Sequence, residues 1–289
     1  MTVNRIHYVL LAAAAILLLL GLAHQHDQVR DTINQAWGSH SSGGSPESSH
    51  SYSSSSLKSP PSPVDTSSKD TDALPSFHDI ATKYGTDKVT THHYWFMYDK
   101  HFPAIRNKRL KMLEIGLGCD MVYGPGKSYY TWLEYFPNVD LYYMEYDAEC
   151  AAKWAAKTSD ATIFAGDQAD PAFLQKFIDE SGGDFDIIID DGGHTMNQQK
   201  VSFEALWKIV KPGGFYFIED LQTSFMAPYG GDPSGGKDPK VWTMAKYIYE
   251  LIDDKLTPDG TKHSTSMEMR SIECQREVCL FTKKEKGSV

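Results

Sequence analysis

The sequence predicts an α/β fold, a largely parallel sheet with helices on both faces, closed at one edge by an antiparallel hairpin. Three observations carry this. Short apolar runs, among them Phe185–Ile189 and Gly214–Ile218, alternate with helix-like blocks, as repeated βαβ units do. The runs are apolar almost throughout rather than at every second position, which strands covered on both faces require. Two of them end in carboxylates, Asp190-Asp191 and Glu219-Asp220, and open α/β sheets bind ligands beyond the carboxyl ends of their strands.

The elements follow in order. Tyr94–Tyr98 has helical spacing and reads as core packing. Strands are expected at Lys111–Gly116, Val139–Met144, Ala161–Phe164, Phe185–Ile189 and Phe215–Ile218, with helices around Tyr129–Tyr135, Ala148–Lys157, Pro171–Asp179 and Gln198–Val210. The loop Gly230–Gly236 is a lid candidate, and a helix follows near Pro239–Asp254. The runs Ser266–Cys274 and Val278–Lys283 are separated by so few residues that they form a hairpin. Five parallel strands and a terminal hairpin are the layout of the class I methyltransferase fold. The hairpin sets it apart from a plain dinucleotide-binding fold.

Upstream of this domain, placed at 76–289, composition changes twice. Residues 1–25 contain the apolar stretch Ile6–Ala23, preceded by Arg5; at roughly 18 residues it is near the minimum for a bilayer span and long for a signal-peptide core. The expectation is a type II signal anchor with the domain in the Golgi or endoplasmic reticulum lumen; a cleaved signal peptide and a secreted domain is the alternative. Residues 26–75, and Ser39–Ala73 above all, are dominated by Ser, Pro, Gly and Thr and read as a disordered stalk. No N-glycosylation sequon supports the lumen. Formal charge is −10, from 38 acidic against 28 basic residues, so a nucleic-acid partner is not expected. The expected partners are a membrane, through the N-terminal helix, and a small-molecule or glycan acceptor; homo-oligomerisation is left open.

The 4 cysteines have neither CxxC nor Cys/His zinc spacing. Cys274 and Cys279 would pair across the hairpin in an oxidising lumen or stay as buried thiols; spacing does not choose.

The first strand runs into Glu114-Ile-Gly116-Leu-Gly118, where glycines let the backbone pass close to a ligand. The second ends in Glu145, placed to accept from a ribose diol. The third ends in Gly166-Asp167-Gln168, where a side-chain acceptor would meet an adenine amine. The nicotinamide fingerprint fails, because Met121 stands at its third glycine. Gly126-Lys127-Ser128 and Ile187–Asp191 resemble parts of a P-loop NTPase, the alternative reading, but Lys127 lies too far beyond its strand.

Tyr84-Gly-Thr-Asp-Lys88, His92-His93-Tyr94, L-E-I-G, W-x-x-Y-F-P at Trp132–Pro137, G-D-Q, D-I-I-I-D-D-G-G-H, S-F-E-A-L at Ser202–Leu206, K-P-G-G and I-E-D-L together resemble the macrocin and mycinamicin sugar O-methyltransferases, over about Phe77–Phe225. The resemblance implies S-adenosylmethionine and magnesium as cofactors and a deoxysugar hydroxyl as acceptor. It implies Asp191, Glu219 and Asp220 as magnesium ligands, His194 as general base, Glu145 at the ribose and Asp167 near the adenine. Tyr84 and Lys88 would help close the cofactor site, to which Glu114, Gly116, Gly118, Gln168 and Asp190 also belong. Asp190 has a competing role, since one of two neighbouring acids ordinarily caps a helix or binds backbone amides. The insertion Cys119–Gly126 and the apolar N-terminus depart from the bacterial pattern.

Metal and base share the work in this reading. Magnesium on two adjacent substrate oxygens lowers a hydroxyl pKa, and an imidazole that titrates near neutrality takes the proton. His92 and His93 read as structural or surface groups. A membrane-tethered binding protein that keeps the fold without catalysis is the remaining alternative; the intact set Asp191, His194, Glu219 and Asp220 speaks against it.

Overall fold

The computed structural model describes residues 74–257 and 262–287. All of them belong to one compact unit, Lys69–Val289. The expected anchor and nearly all of the expected stalk lie outside the described residues. Among the described residues no helix is long and apolar enough to cross a membrane.

Seven strands form one sheet: β1 (Leu110–Ile115), β2 (Val139–Glu145), β3 (Ala161–Ala165), β4 (Phe185–Asp190), β5 (Val210–Ile218), β6 (Met269–Gln275) and β7 (Val278–Lys283), in the order β3-β2-β1-β4-β5-β7-β6. The pairs among β1–β5 are parallel; β7 runs antiparallel to both β5 and β6. The order reverses between β1 and β4, which opens a crevice at their carboxyl ends.

Among the described residues the α-helices are α1 (Phe77–Tyr84), α2 (Asp87–Thr90), α3 (Trp95–His101), α4 (Lys127–Tyr135), α5 (Ala148–Trp154), α6 (Pro171–Ser181), α7 (Met196–Leu206), α8 (Met244–Leu256) and α9 (Ser264–Glu268). Their ends follow local chemistry. Ser76 and Asp79 form a capping box on α1, as Thr195 and Gln198 do on α7, while Pro171 starts α6 behind the cap Asp170. Several expected bounds move: the helix expected near Pro239–Asp254 starts at Met244, and the one expected around Gln198–Val210 ends as α7 at Leu206. Ser266 belongs to α9, so the hairpin strand starts at Met269, and β5 reaches back through Lys211-Pro-Gly-Gly to Val210.

One apolar cluster joins Leu113, Ile188 and Tyr216 to Phe203 of α7 and Leu251 of α8. The other joins Met112, Ile187 and Phe217 to Phe77, Tyr98 and Trp132 from α1, α3 and α4. Strands β1 and β4 contribute to both clusters, which is why their sequences are apolar without alternation. On the second face Phe77 stacks on Trp132 at 5.0 Å, and Tyr98 meets Trp132 edge-on at 5.4 Å. This aromatic layer seats α1–α3 against the sheet and carries Lys88, His92 and Tyr94 to its carboxyl edge.

Candidate active site

A cleft of about 520 Å³ lies at the carboxyl ends of β1–β5, within the size range of small-molecule sites. Of the residues expected from sequence, Gly116, Gly118, Glu145, Asp167, Gln168, Asp191, His194 and Asp220 line it; Glu114, Asp190, Tyr84, Lys88 and Glu219 do not.

Gly116 is required by a close approach. Its φ is +99°, and a Cβ there would sit 2.2 Å from the carbonyl oxygen of Asp191. The ends of β1 and β4 therefore touch backbone to backbone. Glu145, buried at the end of β2, accepts from the amides of Leu117 (2.9 Å) and Asp147 (2.8 Å). Those bonds fix the carboxylate at the cleft wall beside the Gly116–Gly118 turn. Asp167 accepts from the Ala169 amide at 2.8 Å. Gln168 lines the cleft, but its amide is spent on structure: Nε2 donates to Asp190 at 2.9 Å and Oε1 accepts from the Gly193 amide at 2.8 Å.

Asp190 is fully buried and turned toward α7, accepting from Ser202 Oγ at 2.5 Å. Of its two expected roles the structure gives the internal one. Burial, chiefly, raises its pKa, against the hydrogen bonds from Ser202 and Gln168. Tyr84 is also displaced from its expected place: its hydroxyl donates to Glu134 at 2.6 Å, away from the cleft.

Lys88 sits beneath the cleft with 1 % exposure, its ammonium 3.2 Å from Glu114, 2.6 Å from Asp191 and 2.5 Å from Glu219. Burial works against its charge, but the three carboxylates outweigh burial and hold its pKa well above the usual value. Glu114 also accepts from Ser128 Oγ at 2.7 Å and from the Tyr143 hydroxyl, and Glu219 accepts from the Tyr98 hydroxyl. Lys88 and Glu114 thus lie below the floor of the cleft instead of on it. Glu219, expected beside Asp220 as a ligand, is set one layer deeper with its oxygens on Lys88 and Tyr98.

At the cleft mouth Asp191, His194 and Asp220 each offer one donor atom, all within 4.8 Å of one another. His194 Nε2 lies 3.7 Å from Asp220 Oδ2, and His194 Nδ1 is buried without a hydrogen-bond partner. Two carboxylates beside an imidazole whose buried nitrogen has no hydrogen-bond partner are the donor set that suits a hard divalent ion with a base next to it. Asp191 is pushed up to about 6, first by burial and then by Asp220 and Asp87, while Lys88 and His194 pull it down.

The sequence reading missed the groups that hold this mouth. Asp220 accepts at Oδ1 from Gln222 (2.6 Å) and Tyr94 (3.2 Å), and His92 stands 3.6 Å away. The motif His92-His93-Tyr94 was visible, but nothing local tied it to a strand end 126 residues on. Disulfides join Cys274 to Cys279 and Cys119 to Cys150. The second tethers the insertion after β1, which lines the cleft, to α5; the spacing gave no sign of it. The lid candidate is pinned: Asp232 is buried and accepts from the Asp238 amide (2.9 Å), Ser234 Oγ (2.6 Å) and Lys246 Nζ (3.1 Å). None of residues 230–236 lines the cleft. Lys127, the lysine of the NTPase alternative, donates to the Gly85 carbonyl at 2.8 Å and covers the Tyr123 ring.

No family model matches the chain. Among curated proteins it is 36% identical over 206 residues to demethylmacrocin O-methyltransferase of Streptomyces fradiae, covering 70% of this chain and 51% of that one. It is 35% identical over 197 residues to L-olivosyl-oleandolide 3-O-methyltransferase of Streptomyces antibioticus, covering 66% and 49%. A solved MycE methyltransferase of the mycinamycin biosynthetic pathway, in complex with Mg, SAH and mycinamycin VI, superposes with a TM-score of 0.65 at 28% identity, over 74% of this chain and 55% of that one. This chain has the class I methyltransferase fold. It spans about half the length of the curated relatives it matches. The methyltransferase fold accounts for the hairpin beyond β5, and the cleft has one end at the glycine turn and Glu145 of β1 and β2 and an acidic mouth beyond β4 and β5.

Proposed function

We propose that this protein is an S-adenosylmethionine-dependent, magnesium-assisted O-methyltransferase acting on a sugar hydroxyl of a glycosylated small molecule. The convergence of Asp191, His194 and Asp220 at the mouth of a cleft walled by Glu145 and the Gly116–Gly118 turn carries this reading. The relatives support it: two of those named above are O-methyltransferases by description, one of them of L-olivosyl-oleandolide, and the solved one is in complex with Mg, SAH and mycinamycin VI.

Glu145, held by two backbone amides at the cleft wall, would accept from a ribose diol, with the Gly116–Gly118 turn beside it. Asp191 and Asp220 would hold the ion. Bound there, a divalent cation lowers the pKa of a substrate hydroxyl and orients it. His194 would take the hydroxyl proton on a ring nitrogen, a contribution of about 10²- to 10⁴-fold for general bases; the bound donor would supply the methyl group, its sulfonium sulfur leaving as a neutral thioether. Lys88 keeps Asp191 and Glu219 from repelling each other beneath the mouth.

The test is calorimetric titration of the protein with S-adenosylmethionine, ATP and NAD, with and without magnesium. Heat with the sulfonium cofactor alone is expected; none from it, or heat with ATP instead, removes the methyltransferase reading. Mass spectrometry of glycosides treated with enzyme then identifies the acceptor by the gain of one methyl group.

The domain further reads as luminal or secreted, behind the apolar stretch Ile6–Ala23. What supports this is that all four cysteines are paired, and disulfides persist in oxidising compartments. Protease protection of a C-terminal tag in intact microsomes tests it, and cleavage without detergent would refute it.

A further inference from the structure

Asp220 does more than end a strand. Its backbone is left-handed, with φ +55°, a conformation that only surrounding contacts maintain in a residue bearing a side chain. Those contacts divide its carboxylate. Oδ1 accepts from Gln222 Nε2 at 2.6 Å and from the Tyr94 hydroxyl at 3.2 Å, and it faces His92 Nε2 at 3.6 Å. Oδ2 faces His194 across the mouth at 3.7 Å. One oxygen is occupied by the protein and the other is turned to the site.

His92 is held in turn. Its ring lies parallel to that of Tyr94, with centroids 4.7 Å apart and planes at 12°, and Nδ1 is 2.9 Å from Glu277 Oε2. Glu277 occupies the turn between β6 and β7, with φ +70°, and its carbonyl accepts from the amide of Leu221, the residue after Asp220, at 2.9 Å. The Cys274–Cys279 disulfide closes that turn on either side of Glu277. The hairpin therefore reaches Asp220 twice, through the backbone at Leu221 and through the side chain of His92.

We propose that Glu277 and His92 are positioning residues for the metal site: the terminal hairpin, through this pair, fixes which oxygen of Asp220 is presented to a divalent ion. The inference rests on the functional reading above and adds a role for an element that otherwise only closes the sheet. Groups behind a metal ligand orient it, and their loss commonly weakens metal affinity by about 10- to 100-fold.

The experiment measures Mn²⁺ affinity of the full chain, with both disulfides intact, by the electron paramagnetic resonance signal of free Mn²⁺, and S-adenosylhomocysteine affinity by calorimetry. Glu277→Ala and His92→Phe should each weaken Mn²⁺ binding about 10-fold or more and leave S-adenosylhomocysteine binding within about twofold. The double variant should be no weaker than His92→Phe alone, because both changes break one chain of contacts. Glu277→Gln, which keeps an oxygen for Nδ1–H, should restore most of the affinity lost in Glu277→Ala. Unchanged Mn²⁺ affinity in Glu277→Ala, additive losses in the double variant, or a matching fall in S-adenosylhomocysteine affinity would each overturn the proposal while leaving the functional reading in place. Failure of the unaltered protein to bind Mn²⁺ would overturn both.

Discussion

His194 and Asp220 face each other across the cleft mouth with Nε2 3.7 Å from Oδ2, and both hold left-handed backbone, φ +57° and +55°. Neither is a glycine, so each carries a local conformational cost of order 1–3 kcal/mol. Two such residues in contact, one just after β4 and one just after β5, mark where the fold gives up stability to aim side chains. Thr223 Oγ1, which donates to the carbonyls of both His194 (3.1 Å) and Asp220 (2.7 Å), ties the two bends together.

His194→Ala removes the proposed base without touching Glu145 or the glycine turn. Turnover should fall by roughly 10²- to 10⁴-fold while S-adenosylmethionine affinity stays near that of the unaltered protein. Steady-state kinetics and calorimetry check the two halves. Loss of both would make the residue structural.

Lys88→Met leaves Glu114, Asp191 and Glu219 beneath the cleft without their shared cation. Removing one partner of a buried ion cluster costs about 3–5 kcal/mol. Urea denaturation should show the unfolding free energy reduced by that amount, with a lower midpoint. Glu114→Gln together with Lys88→Met should recover part of it, since one uncompensated charge is gone.

Asp254, at the end of α8, accepts from the amides of Lys262 and His263 and from Ser266 Oγ. Burial works to raise its pKa, but those bonds prevail and hold it at about 2. A carboxylate lowered on folding contributes stability that is complete above the ordinary value near 4 and lost as pH falls through the folded value near 2. Asp254→Asn should therefore be less stable than the unaltered protein at pH 6, with the gap closing between about pH 4 and pH 2. Denaturant midpoints across that range test it; a constant gap would contradict the assignment.

Cys119→Ser with Cys150→Ser frees the insertion that lines the cleft. With a sequence separation of 31 between the two cysteines, the chain-entropy relation gives a loss of about 3–4 kcal/mol. Cofactor affinity should weaken as well. Cys274→Ser with Cys279→Ser should leave it unchanged, because that bridge lies on the hairpin. Thermal melts and calorimetry separate the two effects.

The centre of the sheet was legible because β1 and β4 are buried on both faces and so appear as short apolar runs between turn residues. The mouth residues Asp191, His194 and Asp220 were legible because they follow strand ends. What a strand end does not reveal is the direction of each neighbouring side chain. Successive residues point to opposite faces, so Asp190 meets Ser202 while Asp191 meets the cleft. Lys88 with Glu219, 131 residues apart, and Cys119 with Cys150 are brought together by tertiary packing alone. No local pattern announces them. The Cys274–Cys279 pair, directly opposed in the hairpin register, was the one bridge that spacing could raise.

The Cys119–Cys150 bridge also bears on how the protein is prepared. A sample made in a reducing cytosol would carry a loosened lip over the cleft that Cys119 lines, and, on the function proposed above, weak donor uptake by such a sample would be mistaken for a lack of function. Oxidative expression is thus a precondition for judging any assay, and the measured donor affinity becomes a gauge of each sample's thiol history.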